Sequence, residues 1–361
     1  VTETAQQEVL KDGDVVGERY RVAGRLGQGG MGNVYRVEHT LMGKEMAMKL
    51  LRPELSSIPQ VVERFEREAK SASRLDNEHI VRVTDFGRAP NGSFFLIMEL
   101  LEGQSLGERM HKNKISVHEA LDTVEQILDA LEHAHQNSVV HRDLKPENIM
   151  LVERNQRTVV KILDFGLAKI TTVEDPREAT LTQAGMVFGT PRYMAPEQAA
   201  AEPVDERTDL YSVGVLLYEL LAGRPMFAAE NAVELLTCHL TQIPPPLQLS
   251  LANARVGTEL ERTVMRALEK HKKDRWQTAR EFRDALSLVK HALEGSGGAV
   301  LPNIRPAMPS GFLDTRIRSM SNPINPSAYP APNVLTRPRM VMIGAVVVAI
   351  LAGLIALTVS S

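Results

Sequence analysis

The chain has 361 residues, of which 43% are hydrophobic and 24% charged, an ordinary globular balance with enough apolar content for a sizeable core and for more than one average domain. A formal net charge of -3 gives no electrostatic footprint for a polyanion, so no nucleic-acid partner is expected. Cys238 is the single cysteine, which excludes an intrachain disulfide framework and a cysteine-rich zinc site, and residues 1–14 lack the basic-then-apolar pattern of a signal peptide.

Residues 20–51 alternate apolar and polar in short runs broken by glycines, which predicts adjacent antiparallel strands joined by tight turns. Between the first two strands lies Leu26-Gly27-Gln28-Gly29-Gly30-Met31-Gly32-Asn33-Val34. Its backbone can approach phosphate oxygens closely and offer N–H donors to them. A flexible hairpin reads the same way in isolation, and the following strand argues against a dinucleotide-binding turn. Met46-Ala47-Met48-Lys49 ends a third strand, where a lysine among apolar residues needs a counter-ion. A helix is predicted over 59–75, with Val61, Phe65, Ala69, Ala72 and Leu75 on one stripe. Glu68 falls on that buried stripe, whereas Glu63 and Glu66 point away from it, so Glu68 needs a cation.

The apolar run 94–98 passes into a short connector at Glu99-Leu100-Leu101-Glu102-Gly103. A second helix, over 117–136, leads into His141-Arg142-Asp143-Leu144-Lys145-Pro146-Glu147-Asn148. In this loop Asp143 can accept the proton of an attacking hydroxyl, Lys145 can neutralise a transferring phosphoryl group, and Asn148 offers a neutral oxygen to a hard cation. His133 and His135 are assigned to packing or the surface, because no cysteine or carboxylate completes a zinc spacing around them. The β-branched run 159–163 then delivers Asp164 of Asp164-Phe165-Gly166, a carboxylate at the end of a buried strand that suits Mg²⁺. A threonine-rich segment follows, with Thr171, Thr172, Thr180, Thr182 and Thr190, and it ends at Ala195-Pro196-Glu197. The guanidinium of Arg142, next to Asp143, can pair a phosphothreonine through two hydrogen bonds, so Thr182 and then Thr180 are the expected autophosphorylation sites.

A glycine loop, Ala47-Met48-Lys49, the loop around Asp143, Asp164-Phe165-Gly166 and Ala195-Pro196-Glu197 occur in that order, and with them the sequence resembles the bacterial eukaryotic-like (Hanks-type) transmembrane serine/threonine protein kinases. The resemblance covers residues 20–293. It implies an α+β, bilobal fold with a small antiparallel β-rich N-lobe (20–98) and a larger, mostly helical C-lobe (102–293). It also implies ATP with Mg²⁺, or Mn²⁺ in its place, protein substrates bearing serine or threonine, and a homodimer that phosphorylates itself in trans.

By the same resemblance, Leu26, Gly27, Gln28, Gly29, Gly30, Met31, Gly32, Val34 and Ala47 line the nucleotide. Lys49 reaches the α- and β-phosphates and pairs with Glu68, Met98 stands beside the adenine, and the backbones of Glu99 and Leu101 bond the base. Asn148 and Asp164 hold the metal. Thr190 hydrogen-bonds Asp143, His141 packs near Phe165, Asp209 braces the catalytic loop, and Glu197 forms a buried ion pair with Arg275. Met46 and Met48 depart from the family, which more often has valine and isoleucine there.

Residues 1–19 read as an N-terminal extension. Residues 294–339 turn to Gly, Ser, Asn and Pro, a composition that cannot form a packed core and predicts a disordered tether. Residues 340–359 then run without a charge, long enough to cross hydrocarbon about 30 Å thick as one transmembrane helix. Arg337 and Arg339 flank its N-terminal side, which places the catalytic domain in the cytoplasm of a single-pass membrane protein. The expected activity is transfer of the ATP γ-phosphoryl group to protein hydroxyls in membrane-linked signalling; an ATP-binding scaffold without turnover is the alternative.

Overall fold

The computed structural model describes residues 10–28, 32–165, 191–247, 249 and 254–294, without the side chains of Gln60, Arg64 and Glu68. The first part of the chain is a sheet built from β1 (Val15–Val16), β2 (Tyr20–Gln28), β3 (Gly32–His39), β4 (Glu45–Leu51), β5 (Val83–Arg88) and β6 (Phe94–Glu99), with the short α1 (Pro53–Ser56) and α2 (Pro59–Ala72) inserted after β4. The strand order is β1-β2-β3-β4-β6-β5, and every neighbouring pair is antiparallel. Residues 15–16, within the expected N-terminal extension, form the edge strand. Val16 is buried against the sheet core with Tyr20 and Val22, so its apolar side chain draws the strand in.

Alternation along the strands decides which side chain meets which layer. Met46, Met48 and Leu50 pack on one face with Tyr35, Val37, Phe95 and Ile97. Ala47 and Leu51 point to the other face, where α2 lays Val61, Phe65 and Ala69 against Phe94, Leu96 and Met98. Lys49 lies between Ala47 and Leu51 and therefore shares the α2 face. The two methionines at 46 and 48 fill the opposite face, and Met48 is fully buried; an unbranched side chain adapts to that gap.

The second part contains β7 (Gly103–Ser105), α3 (Leu106–Lys112), α4 (Val117–Gln136), β8 (Ile149–Arg154), β9 (Arg157–Ile162), α5 (Pro196–Ala199), α6 (Glu206–Ala222), α7 (Ala232–Thr241), α8 (Ala254–Ala267) and α9 (Ala279–Glu294). Helix α6 is its axis, buried from Thr208 to Leu221, and α4, α8 and α9 pack their apolar stripes into the same core. Asp205 caps the N-terminus of α6 by accepting from the Arg207 N–H at 3.0 Å, and Gly223 closes its C-terminus in the left-handed conformation, with φ of 64°. The three-stranded sheet β7-β8-β9 lies between α4 and the connector from β6. Together the parts form the bilobal protein-kinase architecture: an antiparallel sheet with one long helix, then a helical lobe.

Among the described residues no helix is long and apolar enough to cross a membrane. The expected tether at 294–339, apart from Glu294 at the end of α9, and the expected span at 340–359 lie outside those residues. So do Gly29, Gly30, Met31, Thr171, Thr172, Thr180, Thr182 and Thr190.

Candidate active site

The loop after α4 is held from below by α6. Asp209, fully buried, accepts from the backbone N–H groups of His141 at 2.8 Å and Arg142 at 2.8 Å, and from His135 Nε2 at 2.8 Å. Burial would raise its pKa, but the hydrogen bond and charge of His135, with the neighbouring backbone donors, hold the carboxyl below its ordinary range. Arg142 sits at φ of 70°, a left-handed conformation costly for a non-glycine residue. It is fixed there by Asp209 on its N–H and by Gln198 Nε2, which donates to its carbonyl at 2.8 Å. His141 is buried. Its Nε2 bonds the Leu163 carbonyl at 2.8 Å, and its ring lies edge-on to Phe165 with centroids 4.8 Å apart.

With its backbone fixed, the loop brings three side chains to one point. Lys145 Nζ lies 2.6 Å from Asp143 Oδ2, and Asn148 Nδ2 donates to the Asp143 carbonyl at 2.8 Å and to Oδ2 at 3.2 Å. Among the described residues both side-chain bonds fall on Oδ2. Asn148, with its amide nitrogen committed to Asp143, has Oδ1 left to act as a metal ligand. Its own carbonyl accepts from the Leu163 N–H at 2.8 Å, which ties the loop to the residue before Asp164.

Asp164 also adopts a left-handed backbone, with φ of 59°, and turns toward the sheet, where Lys49 Nζ meets its Oδ2 at 2.7 Å. Asp164 is therefore the described partner of Lys49. The side chain of Glu68 lies outside the described residues, although its helical neighbours Phe65 and Ala69 are buried against β4 and β6. Val34, Ala47, Met98, Leu100, Leu101 and Leu163 belong to a single apolar cluster in which Val34, Leu100, Leu101 and Leu163 are only partly buried; the family resemblance expects the slot for the base here, at the connector between the lobes. The N–H of Glu99 is bonded to the Arg82 carbonyl at 3.0 Å, and its side chain turns away from the slot. Leu26, half exposed at 50%, lies two residues before the end of β2.

The donor set fits a nucleotide with a hard divalent cation. Asp164 and Asn148 present a carboxylate and an amide oxygen, ligands suited to Mg²⁺ or Mn²⁺. Among the described residues a Cβ built on Gly27 would meet nothing within 4 Å, so their packing does not demand glycine there, and the position leaves room for close approach of a phosphate. Gly32 is different: its added Cβ would lie 1.9 Å from the Leu50 carbonyl oxygen, and strand packing alone requires glycine.

Farther from the slot, Arg275 is fully buried and meets Glu197 through Nη1 at 2.9 Å and Nη2 at 2.8 Å. Its remaining donors reach the carbonyls of Arg207, Glu269 and Lys270. Burial pushes the Glu197 pKa up, yet hydrogen bonding and charge from Arg275 hold it below its usual value. The pair anchors α5, just past Ala195-Pro196.

The Protein kinase domain family matches residues 20–291, most of the chain and all the groups just described. The chain belongs to the protein kinase family. Its kinase domain is 44% identical over 279 residues to the serine/threonine-protein kinase pkn3 of Myxococcus xanthus, covering 77% of this chain and 51% of that protein. It is 37% identical over 276 residues to serine/threonine-protein kinase PknB of Mycolicibacterium smegmatis, covering 75% and 43%. The chain thus spans about half the length of the curated relatives it matches, or less. Among solved structures it resembles the Mycobacterium tuberculosis PknI kinase domain, with a TM-score of 0.60 and 28% identity over 78% of this chain and all of that one.

Two features of the kinase site had no signal in the sequence. His135, read as packing or surface, is a ligand of the Asp209 carboxylate; the partners are 74 positions apart. The Glu99 side chain, expected to matter only through its backbone, is paired with Lys161, 62 positions away.

Proposed function

We propose that the protein is a serine/threonine protein kinase that transfers the γ-phosphoryl group of ATP to protein hydroxyls. The observation that carries this reading is the convergence of Lys145 and Asn148 on Asp143 Oδ2 with the Lys49–Asp164 pair at 2.7 Å. Bound ATP and its divalent cation supply the transferable group and polarise it. The Asp143 carboxylate takes the proton from the acceptor hydroxyl. Lys145 and Asn148 keep that carboxylate in place, and Lys145 is close enough to offset charge beside it. Asp164 and Asn148 would hold the cation, Lys49 the phosphates, and the slot between Val34, Ala47, Met98 and Leu101 the base. The relatives named as serine/threonine kinases support a serine or threonine acceptor.

The reading extends to autophosphorylation of Thr182 or Thr180, to action in trans within a homodimer, and to a single-pass anchor at 340–359 that leaves the kinase domain on the cytoplasmic side. These rest on the threonine-rich segment, the family resemblance, and the uncharged run with its flanking arginines. The test incubates the full chain with labelled ATP and Mg²⁺, then maps the label in wild type and in Asp143→Asn. Label on Thr182 or Thr180 that is absent from the variant is the expected result. ATP binding without label on the protein itself or on a generic substrate would leave a nucleotide-binding scaffold as the better reading.

A further inference from the structure

The connector expected to meet the base and the strand that leads to Asp164 are joined by an ion pair whose lysine is buried. Glu99 is the last residue of β6, and Lys161 lies near the end of β9, just before Asp164. Lys161 Nζ donates to Glu99 Oε1 at 2.7 Å and to the Ile80 carbonyl at 3.2 Å. The side chains are 6% and 22% exposed, so the lysine has left water for this contact. A lysine in a strand between buried Val160 and Ile162 is costly unless the pairing serves something.

The segment 79–82 lies between the two partners. Its backbone is stitched to β9 by Ile162 N–H to the His79 carbonyl at 2.8 Å and Val81 N–H to the Ile162 carbonyl at 3.0 Å. It is stitched to β6 by Arg82 N–H to Glu99 Oε1 at 2.9 Å and Glu99 N–H to the Arg82 carbonyl at 3.0 Å. The carboxylate of Glu99 therefore holds the connector, the segment leading out of α2 and the Asp164 strand at one junction. Burial raises the Glu99 pKa, but the hydrogen bond from Lys161 and then that from the Arg82 N–H hold it below its ordinary value, as expected of a carboxylate that stays charged. From Lys161 the strand runs through Leu163, which bonds Asn148, directly to Asp164.

We propose that Lys161 and the Glu99 side chain are a positioning pair that fixes the base-binding connector relative to Asp164, and so sets how well one nucleotide can engage both ends of the site. The proposal rests on the ATP-binding reading above. Neither side chain touches the nucleotide; they act through the backbone of Glu99 and through Asp164. A ligand that must bridge both ends depends on the pair, whereas one that meets only the connector does not.

Binding of MgATP and of adenosine to the full 361-residue chain in detergent separates the cases. In Lys161→Met, Glu99 keeps Arg82 N–H and the Arg154 guanidinium at 3.4 Å, so no carboxylate is stranded and a folded protein is expected, checked by its melting curve. The variant is expected to bind MgATP about tenfold more weakly, within the usual span for coupled sites, while adenosine affinity changes less than about twofold. Lys161→Arg should recover most of the loss, and adding Glu99→Gln to Lys161→Met should weaken MgATP no further. Equal weakening of both ligands, or no weakening of MgATP, would overturn the proposal and leave the pair a structural one with the kinase reading intact. Failure of the wild-type chain to bind either ligand would sink the kinase reading, and this proposal with it.

Discussion

Single residues in this fold are held by partners whose loss leaves a buried charge exposed to nothing. Glu197 and Arg275 are the extreme case, each nearly or fully buried and bonded through both guanidinium ends. Glu197→Ala leaves the Arg275 cation in the core with carbonyl partners alone. It should cost about 3–5 kcal/mol, the usual penalty for stripping one side of a buried pair, read by urea unfolding. The double variant with Arg275→Met should cost less than the sum of the two single changes, because neither charge then remains; additive losses would show that the pair is not coupled. The grouping of Asp143, Lys145 and Asn148 was legible at this scale because the three lie within a few positions of sequence, and the structure brings their side chains together. The Glu197–Arg275 pairing came from family resemblance, since 78 positions separate the two.

Elements explain why that short loop holds its shape. Helix α6 presents Asp209, α4 presents His135, and the two meet under the loop at 2.8 Å. His135→Ala removes one of the three described donors to Asp209 and frees the loop to relax from the strained Arg142 backbone. A hydrogen bond to a charged group is worth about 1.5–3 kcal/mol, so stability should fall by that order. Turnover should fall while MgATP affinity stays near wild type, because the nucleotide slot lies on other elements; a loss of affinity without a loss of turnover would contradict this. Helical periodicity showed that α4 is buried, but not what its histidines face, since periodicity gives a face and not the neighbour on it. The sheet was more legible: alternation along β4 placed Lys49 among apolar neighbours, and the observed register gives it the α2 side with Ala47 and Leu51. Thr190 and the side chain of Glu68, both expected at the site, lie outside the described residues.

At the scale of the whole molecule, stability should depend on pH through a histidine remote from catalysis. His239 is 1% exposed, and its Nδ1 pairs with the Tyr211 hydroxyl at 2.9 Å. Burial, and then the charge of Lys270, lower its pKa to about 4, below the ordinary value near 6.5. The unfolded chain therefore binds this proton more readily than the folded one, and stability rises with pH across that window. The contribution is fully present above about pH 6.5 and is lost as pH falls toward 4, on the order of 3 kcal/mol in all. Urea unfolding at pH 7.5 and 5.5 should show the decline, and His239→Gln should flatten it. An equally steep decline in the variant would assign the effect to other groups.

The central claim is that Asp143 is the base of a phosphoryl-transfer site whose nucleotide is held by other residues. It is tested most directly by measuring turnover and MgATP affinity together in Asp143→Asn. The account predicts affinity within about threefold of wild type, with turnover reduced by about 10²–10⁴, the range for loss of a positioned general base. Turnover that survives the substitution would contradict it.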